Sequence, residues 1–392
     1  MWLEIIFIFL FFILLLFYYF KENNSHQNRI SNLKYIVHVN GIRGKSSVTR
    51  LIGEIFIEAG VKTFIKTTGS AARLIFPDGD EKKIRRRVPN IIEQVNIVQT
   101  ISRYRPEAFV VECMAVDPLL QKVCEEKMLN STIGVLTNVR EDHQDKMGWS
   151  LSEIAHSLCE FIPSNSVLVC GEQNPKLVRI IKKRAKEKNT RVVRPESDLF
   201  NNHEKILEQM GYIEHRENIA LALKVAEVVG IDKKTAIRGV LNSKPDPGAL
   251  KIHFKVVDGK KIFFINAHAI NDRESVIKVY DLLKERGYLD KTNIGVLYNR
   301  IDRPDRVKMF ADVVSKEMNL DAVILLGYYK SVAKSRLVEN GFSKDKIFSL
   351  NYDSLKGLLS LICRLTKVES NVIGMVNYHG SIVEKTVEFF SN

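Results

Sequence analysis

Hydrophobic positions follow two different patterns along this chain of 392 residues. Residues 5–20 form an unbroken apolar and aromatic run. From Tyr35 onward, short apolar runs alternate with stretches in which apolar residues recur every three or four positions. The short runs predict buried strands, and the three- and four-residue spacing predicts amphipathic helices. Such alternation is typical of an α/β protein with a mostly parallel sheet.

The first apolar run predicts a membrane-spanning helix. As a helix, Ile5–Phe20 would be about 24 Å long, and interfacial aromatic residues such as Trp2 and Tyr18 would extend it towards the roughly 30 Å of a bilayer core. A secretory signal fits less well, because a basic leader and a small-residue cleavage site are both missing. A helix docked in a soluble core is the other alternative. We interpret residues 1–20 as a transmembrane anchor and residues 21–34 as a linker.

Charges beside the anchor predict its orientation. Lys21, Arg29 and Lys34 follow the apolar run, whereas only Glu4 precedes it. Because basic residues collect on the cytoplasmic side of a bilayer, we expect a single-pass protein of the cell (inner) membrane with its catalytic body in the cytoplasm.

Beyond the linker, the alternation occurs twice and predicts two domains. Two prolines and a glycine in Lys244–Gly248 mark the clearest break, so we predict a central domain over 35–248 and a smaller Rossmann-like domain over 249–392. The predicted buried strands are Phe109–Val111, Ile133–Leu136, Ser166–Val169, Lys261–Ile265, Ile294–Leu297, Ala322–Leu326 and Asn371–Val376.

The composition of the chain indicates which kinds of molecule it binds. The chain has 59 basic and 46 acidic residues, a net charge of +13, which favours a polyanion or an anionic membrane surface. No recognition motif for nucleic acid occurs, so we predict no nucleic-acid partner. The five cysteines form no C-x-x-C pair, which argues against a zinc ribbon and a disulfide framework.

A glycine-rich segment after the apolar run Tyr35–Val39 predicts a phosphate-binding loop. The loop is followed by helical spacing up to Gly60, so backbone N–H groups and a helix N-terminus would face phosphate oxygens. Lys45 would reach the outer phosphates and Ser46 would hold Mg²⁺. The loop is shorter than the usual form, since Val39 stands at the position of its first glycine; an ordinary glycine turn is the alternative. The predicted nucleotide-binding residues are Gly41, Arg43, Gly44, Lys45, Ser46 and Ser47.

Two neighbouring strand ends carry candidate metal ligands. Glu112 follows one predicted strand, and His143 lies in the polar segment after the next. A carboxylate and an imidazole beside a phosphate loop suit a divalent cation, so Ser46, Glu112 and His143 are the predicted metal ligands. The alternatives are that Glu112 caps a helix and that His143 is a buried structural histidine.

These motifs resemble the Mur ligase superfamily of ATP-dependent amide ligases, which build the peptidoglycan stem peptide or add polyglutamate to folate. The resemblance rests on the Gly41–Ser46 loop, Glu112, the Asn138–Asp145 segment and the helix beginning Glu217-Asn218-Ile219-Ala220. Within the superfamily, the apolar N-terminus and the Pro245–Ala249 segment are most similar to the capsule-forming poly-γ-glutamate synthases.

The resemblance implies a mechanism. A carboxylate would attack the γ-phosphate of ATP to give an acyl phosphate and ADP, and an amine would then displace phosphate to form an amide. The implied catalytic residues are Lys45, Glu112 and His143, with ATP and two Mg²⁺ ions, and Asn218 would lie beside the adenine. The acceptor and the incoming amino acid would both be glutamate, joined through the γ-carboxylate into poly-γ-glutamate.

The chain departs from the family pattern at two positions. Ala249 stands where an arginine usually follows the domain junction, and Ala267 stands where an aspartate usually reaches the ribose. We predict that Asn271, Asp272 and Arg303 bind the nucleotide instead, with Asn266 and the neighbouring Arg300 and Arg306 as further candidates. Each arginine has the alternative of a solvated surface salt bridge.

Other expectations concern partners and competing functions. Export of a polymer requires a multispanning partner subunit, and homo-oligomers are possible. The basic run Lys82–Arg87 is either a solvated surface or a guide for polyglutamate or anionic lipid. The competing functions are a folylpolyglutamate-type synthetase and a membrane-tethered P-loop regulatory or assembly ATPase without ligase activity.

Overall fold

Strands and helices alternate through both halves of the chain. The computed structural model describes residues 2–69, 72–84, 90–196, 204–210, 212, 214–246, 250–268, 270, 272–350, 352–377 and 380–391. The strands are β1 Tyr35–Asn40, β2 Thr63–Thr67, β3 Arg73–Ile75, β4 Glu81–Lys83, β5 Ala108–Glu112, β6 Ile133–Leu136, β7 Val167–Cys170, β8 Arg191–Val193, β9 Lys251–Val257, β10 Lys260–Ala267, β11 Thr292–Asn299, β12 Ala322–Gly327, β13 Ile347–Ser349 and β14 Glu369–Met375.

The helices connect these strands and cover both sheets. The α-helices are α1 Trp2–Ser31, α2 Lys45–Glu58, α3 Glu93–Ser102, α4 Pro118–Val123, α5 Gln144–Met147, α6 Leu151–Leu158, α7 Pro175–Glu187, α8 Glu204–Gln209, α9 Arg216–Val229, α10 Lys233–Asn242, α11 Arg273–Glu285, α12 Pro304–Glu317, α13 Lys330–Glu339, α14 Leu355–Leu365 and α15 Ser381–Ser391. Cys124–Leu129 is a π-helix that continues α4, and Cys159–Phe161 and Lys344–Lys346 are short 3₁₀ turns.

The first sheet has eight strands in the order β4-β3-β2-β5-β1-β6-β7-β8. The predicted parallel core is confirmed, because β1 pairs in parallel with both β5 and β6. Only the pairs β2–β3 and β3–β4, at one edge, are antiparallel. Lys82 and Lys83 of the basic run are exposed on β4, whereas Arg85–Arg87 lie outside the described residues.

The second sheet has six strands in the order β13-β12-β11-β14-β10-β9. Its neighbours pair in parallel except β9, which forms an antiparallel edge with β10. Strand β14 returns between β10 and β11, so the strand order changes direction beside it, as in doubly wound sheets. A Rossmann-like second half is therefore confirmed.

The chain divides into two compact units. The first contains Met1–Gln209 and His215–Lys244, and the second contains Met210–Glu214 and Pro245–Asn392. Membership of residues 210–214 in the second unit was not predicted from sequence. Residues 247–249 lie outside the described residues, so the domain boundary after residue 248 stays a prediction.

The segment predicted as a linker, residues 21–34, is helical as far as Ser31. Helix α1 is continuous from Trp2 to Ser31, and it is the one described helix long and apolar enough to cross a membrane. Apolar side chains from Trp2 to Phe20 are exposed, whereas His26 and Ile30 are buried. The polar residues 21–31 therefore continue the helix, and part of this stretch packs on the protein.

The C-terminal end of α1 docks on the π-helix. His26 Nε2 donates to the Met128 carbonyl at 2.9 Å, and Gln27 Nε2 donates to the Lys127 carbonyl at 3.1 Å. Below these contacts, Ile30 and Leu33 join the apolar cluster on one face of the first sheet. The last carbonyls of a helix have no partner inside the helix, so α1 satisfies groups that would otherwise bind water.

Helix α2, which begins at the predicted phosphate loop, is held by close packing against α10. A Cβ added to Gly239 would lie 2.5 Å from the Ile55 Cα atom and 2.8 Å from its nitrogen. The two helix backbones therefore touch at Gly239, and only a residue without a side chain fits there.

We expect Gly239→Ala to destabilise the protein by roughly 2 kcal/mol, because the added methyl group must push α10 away from α2. Thermal unfolding of the detergent-solubilised full chain measures the effect. Lys234→Ala, at an exposed position of the same helix, is the matched control and should change the melting temperature little. Equal melting temperatures for Gly239→Ala and wild type would show that the contact is not tight.

Candidate active site

The loop between β1 and α2 is shaped by two glycines with positive φ. Gly41 has φ +129°, and a Cβ there would lie 2.1 Å from Thr137 Oγ1. Gly44 has φ +79°, and a Cβ there would lie 2.5 Å from Asn218 Oδ1. Both positions therefore require glycine for conformation and for space. The same contacts bring Asn218, predicted as a nucleotide-binding residue, against the loop.

The side chain of Asn138 clamps the middle of the loop. Its Oδ1 accepts from the Arg43 backbone N–H, and its Nδ2 donates to the Arg43 carbonyl, both at 3.0 Å. Thr137 Oγ1 donates to the same carbonyl at 2.6 Å, and the Ile42 N–H donates to the Asn138 carbonyl at 3.2 Å. The loop conformation is thus set by the segment that follows β6.

Lys45 lies over the loop that precedes it. Its Nζ donates to the carbonyls of Gly41 at 2.8 Å and Ile42 at 3.3 Å. Burial lowers the pKa of Lys45, and the nearby Glu112 carboxylate opposes this effect. The ammonium group is therefore held at the start of α2, where the first N–H groups of the helix have no carbonyl acceptor within it.

Glu112 and Ser46 meet at the end of β5. Glu112 is buried, and its Oε2 accepts from Ser46 Oγ at 2.9 Å and from the Thr68 N–H at 2.5 Å. Two of the three predicted metal ligands are thus adjacent. A hydroxyl and a buried carboxylate are oxygen donors of the kind that Mg²⁺ prefers, so the residues present fit this ion.

His143 is placed by Asp142 and Arg43. His143 has φ +49°, and its N–H donates to Asp142 Oδ1 at 2.9 Å. Asp142 Oδ2 accepts from Arg43 Nη2 at 2.9 Å and lies 3.8 Å from His143 Nε2. Among the described residues, no three His, Cys, Asp or Glu side chains form a metal-binding group, so His143 as a ligand stays a prediction.

Two polar side chains of β1 form buried contacts that sequence reasoning missed. Asn40 Oδ1 accepts from the Gly41 N–H, and Asn40 Nδ2 donates to Gln121 Oε1, both at 2.8 Å. His38 Nδ1 lies 2.7 Å from Glu125 Oε2 on the π-helix. The available signal was the two-residue spacing of two polar side chains inside a buried strand, which puts both on one face.

His38 and Glu125 form a buried ion pair. Glu125 also accepts from the Ser131 N–H at 2.7 Å and from its hydroxyl at 2.9 Å. Burial lowers the pKa of His38, but the neighbouring Cys113 and Glu125 outweigh burial and raise the pKa to about 9. A charged imidazolium therefore lies two residues before the Asn40 that orients the loop.

The predicted residues of the second unit have structural partners of their own. Asp272 caps α11 by accepting from the Ser275 N–H at 2.9 Å, and Arg303 is the residue before α12. Arg300 forms a two-bond pair with Asp302, which is the predicted surface alternative, and Arg306 donates to Asn377 Oδ1 at 2.7 Å. Asn271 lies outside the described residues.

The second unit has two buried asparagine side chains, Asn266 and Asn299, that the sequence did not indicate as a pair. Asn266 Oδ1 at the end of β10, and both amide atoms of Asn299 at the end of β11, have no hydrogen-bond partner within the described residues. An unpaired buried amide is costly, so these strand ends are suited to a polar ligand.

Comparisons with known proteins identify the family. Residues 39–232 match the Mur ligase middle domain, and residues 252–392 match the poly-gamma-glutamate synthase CapB C-terminal domain. The chain is 37% identical to PGA synthase CapB of Bacillus subtilis (strain 168) over 375 residues, which cover 94% of each chain. The chain belongs to the CapB family of Mur ligases. It is also 36% identical over 367 residues to the capsule biosynthesis protein CapB of Bacillus anthracis, covering 92% of this chain and 77% of that protein.

Solved structures show the same fold at low identity. E. coli FolC in complex with ADP superposes with a TM-score of 0.67 at 15% identity, covering 94% of this chain and 92% of that one. A folylpolyglutamate synthase/dihydrofolate synthase with Mn, AMPPNP and L-glutamate bound has a TM-score of 0.66 at 14% identity, with 94% and 93% covered. MurF from Acinetobacter baumannii has a TM-score of 0.66 at 14% identity, with 94% and 78% covered. These likenesses show the fold. The enzyme class follows from the match to the Mur ligase middle domain and from the identity to PGA synthase CapB: the chain is an ATP-dependent ligase of the Mur ligase family.

We expect the stability of the protein to fall as the pH rises from 6.5 to 9. Because the pKa of His38 is raised to about 9, the folded state binds a proton in this range that the unfolded state releases near pH 6.5. The pair contributes its full amount to the free energy of unfolding below pH 6.5, and this contribution is lost as the pH rises through 9. For one proton, the free energy of unfolding falls by at most about 1.4 kcal/mol per pH unit.

Glu125→Gln should flatten this pH dependence, because an amide cannot hold the imidazolium as a carboxylate does. Glu126→Gln, on the neighbouring residue, is the control and should retain the wild-type slope. Thermal unfolding of the full chain at pH 6.5, 7.5, 8.5 and 9.5 measures all three. An unchanged slope in Glu125→Gln would contradict the ion pair.

Proposed function

We propose that the chain is the catalytic subunit of a membrane-bound synthase that polymerises glutamate through its γ-carboxylate. The reaction consumes ATP, forms an acyl phosphate on the terminal carboxylate and releases ADP and phosphate. The observation that carries the proposal is the phosphate loop whose Ser46 contacts the buried Glu112, in a chain of the CapB family.

The phosphate loop supports ATP as the phosphoryl donor. Gly41 and Gly44 allow the backbone to approach a ligand closely, and Lys45 holds its ammonium group at the start of α2. Phosphate oxygens of ATP would replace the two carbonyls that Lys45 now contacts, which places positive charge where negative charge develops during transfer. Arg43, Ser46 and Ser47 complete the proposed phosphate site, and Asn218, which packs against Gly44, is proposed to contact the adenine.

The metal ligands are proposed as two sets. Ser46 would hold one Mg²⁺, and Glu112 with His143 would hold a second. When bound, these ions supply positive charge to the phosphates and to the reacting carboxylate. The ion pair between Arg43 and Asp142 positions His143, because the same aspartate receives the His143 N–H.

Residues of the second unit are also proposed to bind the nucleotide. Asp272 and Arg303 lie at the starts of α11 and α12, which follow β10 and β11, the two strands on either side of β14. We propose that they and Asn271 bind the nucleotide, and that Asn266, whose Oδ1 is buried without a partner, replaces the family aspartate at the ribose.

The proposed substrates are glutamate and the growing poly-γ-glutamate chain. Helix α1, with its exposed apolar residues and following basic residues, supports a single-pass protein of the cell membrane with the body in the cytoplasm. Since one helix cannot form an export path, we propose a multispanning partner subunit in the same membrane.

The test is to incubate native membranes that contain the chain with ATP, Mg²⁺ and labelled glutamate, and to analyse the products by mass spectrometry. We expect ADP release together with a ladder of products separated by one glutamate residue. Lys45→Ala should abolish both. Addition of glutamate to reduced folates alone would instead identify a folylpolyglutamate synthetase, and glutamate-independent ATP hydrolysis would identify a regulatory ATPase.

The metal ligands predict a non-additive pair of variants. Glu112→Gln and His143→Ala should each raise the Mg²⁺ concentration needed for half-maximal ligation and lower its rate strongly. The double variant should be little worse than the poorer single variant, because both residues act through one ion. Double-variant losses equal to the product of the single losses would contradict a shared ion. Glu141→Gln, which alters a carboxylate two residues from His143, is the matched control.

A further inference from the structure

Helix α7 is the most basic helix of the described chain for its length. Six of its 13 residues are basic and one, Glu187, is acidic. Its buried residues Leu177, Val178, Ile181 and Ala185 pack against the first sheet, so the basic residues face outward. The basic residues are Lys176, Arg179, Lys182, Lys183, Arg184 and Lys186, and Arg191 follows on β8.

One of these cations is used in the fold and the others are not. Arg184 pairs with Glu160 and Glu187, each at 2.9 Å. Within the described part of the chain, the exposed Lys176, Lys183 and Lys186 form no ion pair, and Arg179 donates only to a backbone carbonyl at 3.5 Å. Charges left without counter-charges raise the local positive potential and attract anions.

Four of the cations form a straight stripe. At 100° per residue, Lys176, Arg179, Lys183 and Lys186 fall within about 80° of the helix circumference, opposite the buried face. They span about 15 Å along the helix, with steps of about 4.5 to 6 Å between successive side chains. We call Lys176, Arg179, Lys183 and Lys186 the α7 stripe.

The stripe begins at the edge of the sheet that carries the candidate active site. Just before α7, Glu172 Oε2 accepts from the Val139 N–H at 2.8 Å, and Val139 is the neighbour of the Asn138 that clamps the phosphate loop. Arg194 Nη2 donates to the Glu172 carbonyl at 2.8 Å and secures this end. Since β7 enters α7 at that edge, the helix then runs back toward the opposite edge.

An open basic cavity lies at the far end of the helix. Its volume is about 530 Å³, and its cationic lining residues are Lys182, Lys186 and Arg191. Asn165, Ser166 and Asn189 supply polar groups beside them. The cationic surface is therefore continuous from the site edge of the first unit, along α7, to the cavity at the start of β8.

The spacing of the stripe matches a polyanion of γ-linked glutamate. Each repeat has five backbone bonds, against three in an ordinary peptide, so an extended chain presents one carboxylate roughly every 6 Å. A flat bilayer would meet one side of the body, whereas the stripe follows a line away from the site. A flexible polymer growing from the site fits that line better.

We propose that the α7 stripe and its cavity bind the nascent polyanionic product as it leaves the active site. This inference rests on the proposed function for the identity of the polymer. Single exposed charge pairs are weak, so several in a row hold a long chain while each contact can exchange. The stripe would therefore retain long products between additions and leave the first additions unaffected.

The test uses the full chain in nanodiscs of phosphatidylcholine and a fluorescent poly-γ-glutamate of 20 residues. The stripe variant carries Lys176→Gln, Arg179→Gln, Lys183→Gln and Lys186→Gln. The matched control carries Lys233→Gln, Lys234→Gln, Lys344→Gln and Lys346→Gln, which removes the same number of exposed charges elsewhere. Fluorescence anisotropy at 50 and 200 mM salt measures binding, and mass spectrometry measures product length.

We expect the stripe variant to bind the polymer at least about tenfold more weakly, with a smaller salt dependence, and to release shorter products at an unchanged rate of first addition. The control should bind as wild type does. Equal binding by stripe variant and wild type, or equal losses in both variants, would overturn the proposal. So would retained polymer binding with lost affinity for phosphatidylglycerol vesicles, which would identify a lipid-binding face. Because the binding assay uses preformed polymer, it stands even where synthesis from glutamate fails.

Discussion

The clamp of Asn138 on the phosphate loop is the interaction on which the arrangement of the active site depends. One side-chain amide binds both backbone groups of Arg43 and so joins the loop after β1 to the loop after β6. With the backbone fixed, the Arg43 side chain donates to Asp142, and Asp142 in turn accepts a hydrogen bond from the backbone N–H of His143. Loss of this amide would remove both of its hydrogen bonds to the Arg43 backbone, and of the side-chain bonds described above only the one from Thr137 Oγ1 to the Arg43 carbonyl would still join the two loops.

The site combines buried and surface charge in different ways. Lys45, Glu112 and His38 are placed by short hydrogen bonds in surroundings where an unpaired charge is costly. Outside, the excess of basic residues is spread over exposed positions where water screens each charge. Chemistry thus takes place among few, rigid charges, whereas contact with a long polyanion requires many weak ones.

Sequence patterns identified the elements with strong local signals. The apolar runs of β5 and β6 predicted two buried strands, and this placed Glu112 and the segment around His143 at strand ends. The two strands were expected to be adjacent, but β1 lies between them in the sheet. The short edge strands β3 and β4 escaped notice, because three residues are too few to show a period and all three residues of β4 are charged. The helical character of residues 21–31 was missed for a related reason: a polar stretch is helical here because His26 and Gln27 find carbonyl partners about one hundred residues away.

Long-range pairs were beyond reach of the sequence. His38 and Glu125 lie 87 positions apart, and Arg43 and Asp142 lie 99 apart. Each residue is unremarkable within its own segment, and only the fold brings the partners together. Asp272 of the second unit was predicted from sequence to bind the nucleotide, and the structure shows that it also has a local role as the N-cap of α11.

The continuity of α1 has a consequence for the proposed attachment of the enzyme to a membrane. His26, the first docked residue, follows Phe20 by six residues, or about 9 Å of helix, so no slack remains between bilayer and body. The helix is therefore a rigid connection to the first unit and not a flexible tether. One residue added between Phe20 and His26 would turn the whole first unit by about 100° and move it by about 1.5 Å, whereas a flexible tether would absorb the change. The number of residues in this helix thus sets the direction in which the first unit would face a partner subunit in the membrane.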